Sequence, residues 1–408
     1  MMKRKITHVT FFIVFLFSVI SVFSQTSIEL VESVPLETSL DISTIRNTQD
    51  VWLEMMNGAN KTLDVEIFYL SSEPGQAMEP IVNAIKLAAE RNVSVRIIAE
   101  QKFHATYPEP LESLDKLPNI EVRFIDFQAI AGGIMHAKYF IVDHEQVFLG
   151  SQNFDWRALS HIHELGIRMQ NDSLVTVYSD VFEWDWQLAD SATRNINIRP
   201  IKSYAAPIKL HQHDRMVPVY PVYSPRGFIP DEKLWDEPIL VERMDSAQSE
   251  ICIQLLSYSA KDYGHAYYAV LDDALRRAAS RGVKVKLLCS DWSKQKGKVE
   301  YLQSLVVLPN IEVKLSTIPE YSGGFITYAR VEHCKYMVVD RAVSWVGTGN
   351  WSESYFRNGR NVGVILDDAP ISFKIHTFFE NSWNSAYAYP LDPCVTYTPP
   401  RIRDASGR

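Results

Sequence analysis

The chain has 408 residues, of which 46% are hydrophobic and 22% charged, and a formal net charge of -8. That length exceeds what one compact core usually holds, and the composition excludes a disordered or collagen-like chain. The acidic balance excludes capture of duplex nucleic acid by bulk electrostatics, so any phosphate must be held in a local pocket.

The first elements form a targeting segment. Lys3, Arg4 and Lys5 precede an apolar run from Phe11 to Phe23, and Ser24-Gln25 supplies a small-residue site. Residues 1–24 read as a cleaved signal peptide, which makes the protein exported, either periplasmic or secreted. The apolar run is short for a membrane span, and no later segment is long and apolar enough for one. Loss of the three cations takes the net charge from -8 to -11.

Two similar halves follow, read as 25–200 and 201–388, with a tail at 389–408 expected to carry little regular structure. A helical pattern over Pro80 to Glu90 leads into the strand pattern Arg91-Asn-Val-Ser-Val-Arg-Ile-Ile. The second half repeats this with Ala269 to Ser280 and Arg281-Gly-Val-Lys-Val-Lys-Leu-Leu. Both halves then carry Leu-Pro-Asn-Ile-Glu-Val, at 117–122 and 308–313. Alternating strands and helices predict α/β halves, each a mixed sheet with helices on both faces, related by a pseudo-twofold axis. The halves join through a Pro- and His-containing stretch near Ile198 to Pro230, in which Met216 to Tyr223 alternates like a strand.

The chemistry sits in a repeated motif. His136-Ala-Lys138 is followed by Asp143, Gly150, Ser151 and Asn153; His333-Cys-Lys335 is followed by Asp340, Gly347, Thr348 and Asn350. The offsets are identical. Residues two apart on a strand share a face, so each His projects beside its Lys. Asp143 and Asp340 fall where the apolar run stops and suit a turn, with Ser151 and Thr348 as further support. Facing copies complete a phosphodiesterase: one neutral His attacks phosphorus, and the other, protonated, gives its proton to the leaving oxygen. Water then resolves the phosphohistidine. Lys138, Lys335, Asn153 and Asn350 would hold the non-bridging oxygens, which removes the need for a metal or cofactor.

These residues resemble the phospholipase D superfamily, whose members carry two such motifs. The resemblance runs from about Val31 to Tyr389. Gly150-Ser-Gln-Asn-Phe-Asp-Trp-Arg157, Tyr328-Ala-Arg-Val-Glu-His-Cys-Lys-Tyr-Met337 and Gly349-Asn-Trp-Ser352 resemble the branch holding the mammalian lysosomal phospholipases D3 and D4 and a poxvirus nuclease. The resemblance implies a 5′-3′ exonuclease on single-stranded DNA or RNA; the alternative is a phospholipase D or transphosphatidylase acting on phospholipid. It also implies a Glu eleven residues after the motif Asn that orients the catalytic His. Glu164 stands there in the first half and Asn361 in the second. Glu164 then either orients His136 as nucleophile or keeps His136 protonated as the acid. The preferred assignment makes His136 the nucleophile and His333 the acid/base.

A single-strand substrate calls for aromatic platforms, and Phe154, Trp156, Trp351, Tyr355 and Phe356 adjoin the motifs. A homodimer is left open. Cys252, Cys289, Cys334 and Cys394 allow three complete pairings, and no metal-ligand spacing joins them, so zinc is not expected.

Overall fold

The computed structural model describes residues 27–190, 201–261 and 267–403. The signal-peptide reading, and part of the joining stretch, lie outside those residues. Among them, no helix is long and apolar enough to cross a membrane.

Among the described residues each half is built on a mixed sheet of nine strands, the ninth of the first sheet being Val331–Glu332 from the second half. In the first, Thr62–Ile67, Ser94–Glu100 and Ile120–Ile125 run parallel, and Lys138–Val142 is antiparallel to Thr62–Ile67. In the second, Glu250–Leu255, Lys284–Ser290 and Ile311–Ser316 repeat the parallel set, and Lys335–Val339 repeats the antiparallel neighbour. Helix Glu79–Glu90 buries Ile81, Ile85, Ala88 and Ala89 against the first sheet, with Pro80 in its first turn where a missing N–H costs nothing. Helix Val270–Ser280 does the same with Leu271, Leu275, Ala278 and Ala279. Helices Asp172–Ala189 and Ala369–Trp383 lie on the opposite faces. Their buried side chains join strands from both sheets in one shared core, flanked by an outer core on each side. The halves are therefore fused rather than tethered.

The repeated words have local causes. Asn119 and Asn310 both take left-handed backbone, with φ of 64° and 67°. Asn tolerates that conformation better than most residues. Each amide also donates at 3.1 Å to the carbonyl of Ala89 or Ala279, at the ends of helices Glu79–Glu90 and Val270–Ser280. Asp143 and Asp340 are left-handed as well. The Asp143 carboxylate accepts from the backbone N–H groups of Asn60, Lys61 and Thr62. That of Asp340 accepts from Gln248, Ser249 and Glu250. They are turn residues, as their position in sequence implied.

Met216 to Tyr223 falls within strand Arg215–Ser224, which pairs with Ile208–Gln212. The tail is more ordered than its composition suggested. Ala388–Pro390 adds an edge strand to the second sheet, Leu391 is buried, and Ile402 accepts a hydrogen bond from the Tyr328 N–H.

Asp143→Ala should destabilise the chain by about 1–2 kcal/mol, since solvent at the turn weakens these bonds relative to buried ones. Hydrogen bonds to backbone N–H groups help hold the folded-state pKa of Asp143 below its ordinary value, although burial alone would raise it. Its contribution is thus present above its unfolded value, near pH 4, and lost as pH falls through the lower folded value. Urea unfolding at pH 7 and at pH 3 checks this: the gap from wild type should shrink at the lower pH.

Candidate active site

Two short backbone crossings bring the motifs together. Val331–Glu332 pairs in parallel with Ile162–His163, and the His333 N–H donates to the His163 carbonyl at 2.9 Å. At the related position Met135 bridges Arg360, and the His136 N–H donates to the Arg360 carbonyl at 2.8 Å. Alternation then aims the next residue of each partner strand at the imidazole. Glu164 holds His333, its two carboxylate oxygens lying 2.8 and 2.9 Å from Nδ1. Asn361 holds His136, with Oδ1 3.3 Å from Nδ1.

This corrects the expected role of Glu164, which serves the histidine of the opposite half and not His136. The offset along one chain was read as contact within one half, whereas the strand crossing exchanges the partners. Ser151 and Thr348 support the exchanged pairs. The Leu165 N–H donates to Ser151 Oγ at 3.0 Å, and Thr348 Oγ1 donates to Asn361 Oδ1 at 3.1 Å.

The partners set different proton states. Asn361 Nδ2 donates to the Tyr355 carbonyl at 2.7 Å, so its amide oxygen must face His136. An amide oxygen only accepts, which places the proton on Nδ1 and leaves the Nε2 lone pair free. Burial, then the charges of Lys138, Lys335 and His333, push His136 well below the usual imidazole range. Burial also lowers His333, but there the Glu164 carboxylate works in the opposite direction. Burial alone would raise Glu164; the charge and hydrogen bond of His333 hold it below the ordinary carboxyl value. Of the two rings, His333 is the one provided with a counter-charge for imidazolium.

Lys138 and Lys335 are fully buried, and each donates to the carbonyl of its own motif histidine, at 2.6 and 2.5 Å. Each ammonium keeps two further donors. Burial and Lys335 drive Lys138 well below its ordinary value, and burial brings Lys335 down to about 7. Asn153 and Asn350 are buried at the same place, and the amide oxygen of each lacks a hydrogen bond. Both histidines and both asparagines line one cavity of about 940 Å³. The lysine ammonium groups and the amide N–H groups of the two asparagines, around one cavity, suit a tetrahedral oxyanion; the unbonded amide oxygens, which only accept, do not contribute.

The aromatic expectation was mostly wrong. Phe154 stacks on Trp52 in the outer core, and Trp351 and Phe356 are buried in the core of the second half. Trp156 packs edge-on to His161 and is not among the cavity's lining residues. Only Tyr355 lines it, 5.0 Å from the His136 ring. The wall comes instead from Phe68, Tyr69, Phe103 and Tyr107, with Trp292 and Tyr328 contributed by the second half. Phe68 meets the His136 ring at 4.8 Å, and Tyr69 stacks on Tyr107 at 4.8 Å. These residues follow the carboxyl ends of parallel strands, where α/β sheets bind ligands, and that rule could have found them.

The family described as "Cardiolipin synthase, PLD-like domain" matches residues 52–186 and 240–383. The chain is 31% identical to Phospholipase D Z of Dictyostelium discoideum, covering 90% of this chain and 91% of that protein. It is 30% identical to the Homo sapiens 5′-3′ exonuclease PLD3, covering 89% and 80%. It is also 30% identical to the Virion nicking-joining enzyme of Vaccinia virus, covering 89% of each. Phosphatidylserine synthase of Haemophilus influenzae shares the fold at a TM-score of 0.61 and 12% identity, over 84% of this chain and 85% of that one.

The crossed pairing makes a sharp expectation for ring titrations followed by NMR. Glu164→Gln should lower the His333 pKa, with His136 moving only slightly upward as the His333 charge is lost. Asn361→Asp should raise the His136 pKa. A fall of the His136 pKa in the Glu164→Gln protein, with His333 unmoved, would contradict the crossed arrangement.

Proposed function

This chain belongs to the phospholipase D superfamily and is one of its phosphodiesterases; from that premise we propose that it is a metal-independent 5′-3′ exonuclease of single-stranded DNA or RNA. The observation that carries the chemistry is the unequal pair: a bare Nε2 on His136 and a carboxylate-backed ring on His333, on one cavity.

His136 Nε2 attacks phosphorus and forms a P–N bond. The P–O bond to the leaving oxygen breaks, and His333 Nε2–H gives that oxygen its proton. His333, now neutral, takes a proton from water as the water attacks the phosphohistidine. The P–N bond breaks, its electron pair returns to His136, and His333 is protonated again. Lys138 and Lys335 offset the charge on the non-bridging oxygens, and Asn153 and Asn350 donate amide hydrogens to them. Burial and the neighbouring lysines favour neutral His136, whereas the Glu164 carboxylate favours the protonated form of His333, which supports His136 as the nucleophile.

The aromatic wall supports a nucleic-acid substrate, because every base has a face to stack and the chain lacks the net positive charge of a duplex binder. The similarity to a protein named as an exonuclease points the same way. Similarity to a protein named phospholipase D keeps phospholipid as the comparison substrate.

Incubation in EDTA with 5′-hydroxyl and 5′-phosphorylated single strands, and separately with phosphatidylcholine and ethanol, divides these substrates. Stepwise shortening from the 5′ end is expected. Phosphatidylethanol without shortening would overturn the nuclease reading, and loss of activity in EDTA would count against metal independence. Replacing either histidine by Ala should cost about 10²–10⁴-fold in rate. Labelled phospho-enzyme should accumulate in His333→Ala and be absent from His136→Ala.

The reaction needs His136 neutral and His333 protonated. Burial lowers both, so activity should rise as pH climbs through the His136 value and fall as it passes the His333 value. The expected maximum lies on the acid side of the ordinary imidazole value of 6.5. An optimum above pH 8 would contradict the assignment.

A further inference from the structure

Away from the catalytic cavity, at the other end of strand Glu250–Leu255, three donor side chains converge. Glu250 and Cys252 share one face of that strand, and His376 comes from helix Ala369–Trp383, which packs over it. One ligand atom from each lies within 4.8 Å of the other two. Cys252 is fully buried and unpaired. The His376 side chain is only 7% exposed, and its Nε2 lies 3.1 Å from a Glu250 oxygen. That nitrogen nevertheless makes no hydrogen bond. Glu380, one helical turn on, approaches the same nitrogen at 3.7 Å.

The internal duplication supplies a control. Asp64 lies opposite Arg96 in the first sheet, and Cys252 lies opposite Lys286 in the second. In the first half the site is an ordinary ion-pair cluster. Arg96 binds Asp64 at 2.7 Å and Glu183 at 2.8 Å, and the nearby His144 meets Ser179. The second half keeps the pair to the helix as Lys286–Glu380 at 2.7 Å. It places a thiol where Asp64 stands and adds an imidazole from the helix and a carboxylate two residues before the thiol. Packing alone does not call for a buried imidazole nitrogen without a hydrogen bond.

We propose that Cys252, His376 and Glu250 form a binding site for a soft-to-borderline divalent cation such as Zn²⁺, separate from the catalytic cavity, with Glu380 or water as the fourth ligand. Sulfur, imidazole and carboxylate are the donors zinc takes, and a tetrahedral shell requires them only to close inward. Burial raises the Cys252 thiol in the metal-free protein. Binding therefore releases that proton to solvent and leaves a thiolate on the metal. Burial also keeps His376 below its ordinary value, so its ring is neutral and available as a ligand. The facing cations are Arg341, 2.8 Å from Glu250, and Lys286. Glu250 loosens from Arg341 as it turns to the metal. The site ties the helix to the strand, so its occupation stabilises the second half without taking part in phosphoryl transfer.

The test uses the full mature chain, stripped with chelator and dialysed, then titrated with Zn²⁺ against a chromophoric chelator and separately with Co²⁺. A single tight equivalent is expected, with a thiolate-to-cobalt absorption band in the near ultraviolet. His376→Ala and Cys252→Ser should each lose that equivalent, with circular dichroism unchanged, and Cys252→Ser should also lose the band. The His136→Ala/His333→Ala double variant should retain both signals, which separates this site from the catalytic histidines and from the proposed reaction. Absence of tight binding in the wild type would overturn the proposal. So would retention of the equivalent in His376→Ala, or its loss in the double variant.

Discussion

The structure depends on an exchange of hydrogen bonds across the seam between its halves. Each motif histidine receives its backbone partner and its ring partner from the other half: His163 and Glu164 for His333, Arg360 and Asn361 for His136. A strand alternates its faces, so one residue of each pair points into the cavity and its neighbour points away. The outward neighbours are buried too and are paired with carboxylates. Arg360 forms two bonds to Asp185 with no solvent exposure, and His163 meets Glu332 at 2.7 Å. Removing one member would strand a buried charge, at a cost of about 3–5 kcal/mol. Such pairs specify one relative placement of the sheets. The imidazoles inherit their positions from that placement.

The exchange also explains how a duplicated chain can hold an unsymmetrical site. Tyr139 bonds Glu66 in the first half, and Tyr336 bonds Gln254 in the second, so carboxylate and amide alternate at more than one related position. The Glu164/Asn361 difference lies in contact with the reacting rings and decides which ring is given a counter-charge. A symmetric carboxylate pair would give both histidines a counter-charge, and a symmetric amide pair would give it to neither.

Most of the fold was legible because the duplication doubles every signal. Paired helix-then-strand patterns, the left-handed Asn of Leu-Pro-Asn and the turn-fixing Asp each occur twice, and chance seldom repeats a spacing. His136, Lys138, Asn153 and their counterparts were legible for the same reason. The partner of Glu164 was not, because linear offset carries no information about which half a strand end touches. The substrate wall was also missed. Phe154, Trp351 and Phe356 adjoin the motif, but the strand ends there turn inward and the large rings fill the core. Phe68, Tyr69, Phe103 and Tyr107 lie far from the motif in sequence and reach the cavity because parallel strands end together. Proximity along the chain and proximity to the cavity were different quantities.

What remains is why so many basic groups are kept together out of water. Burial disfavours positive charge on His136, His333, Lys138 and Lys335, and three of the four also feel repulsion from another member. A phosphodiester brings a negative charge among them, and the pentacoordinate arrangement concentrates charge on its non-bridging oxygens. Linkage is reciprocal: whatever an anion does to raise these pKa values, proton loading does to tighten the anion. The term grows as negative charge accumulates, so it favours the transition state over the ground state, which is the condition for acceleration rather than mere binding. Crossing the strands at the seam therefore does more than join two half-sites. It holds four basic groups together out of water, where a transferring phosphoryl group can use them.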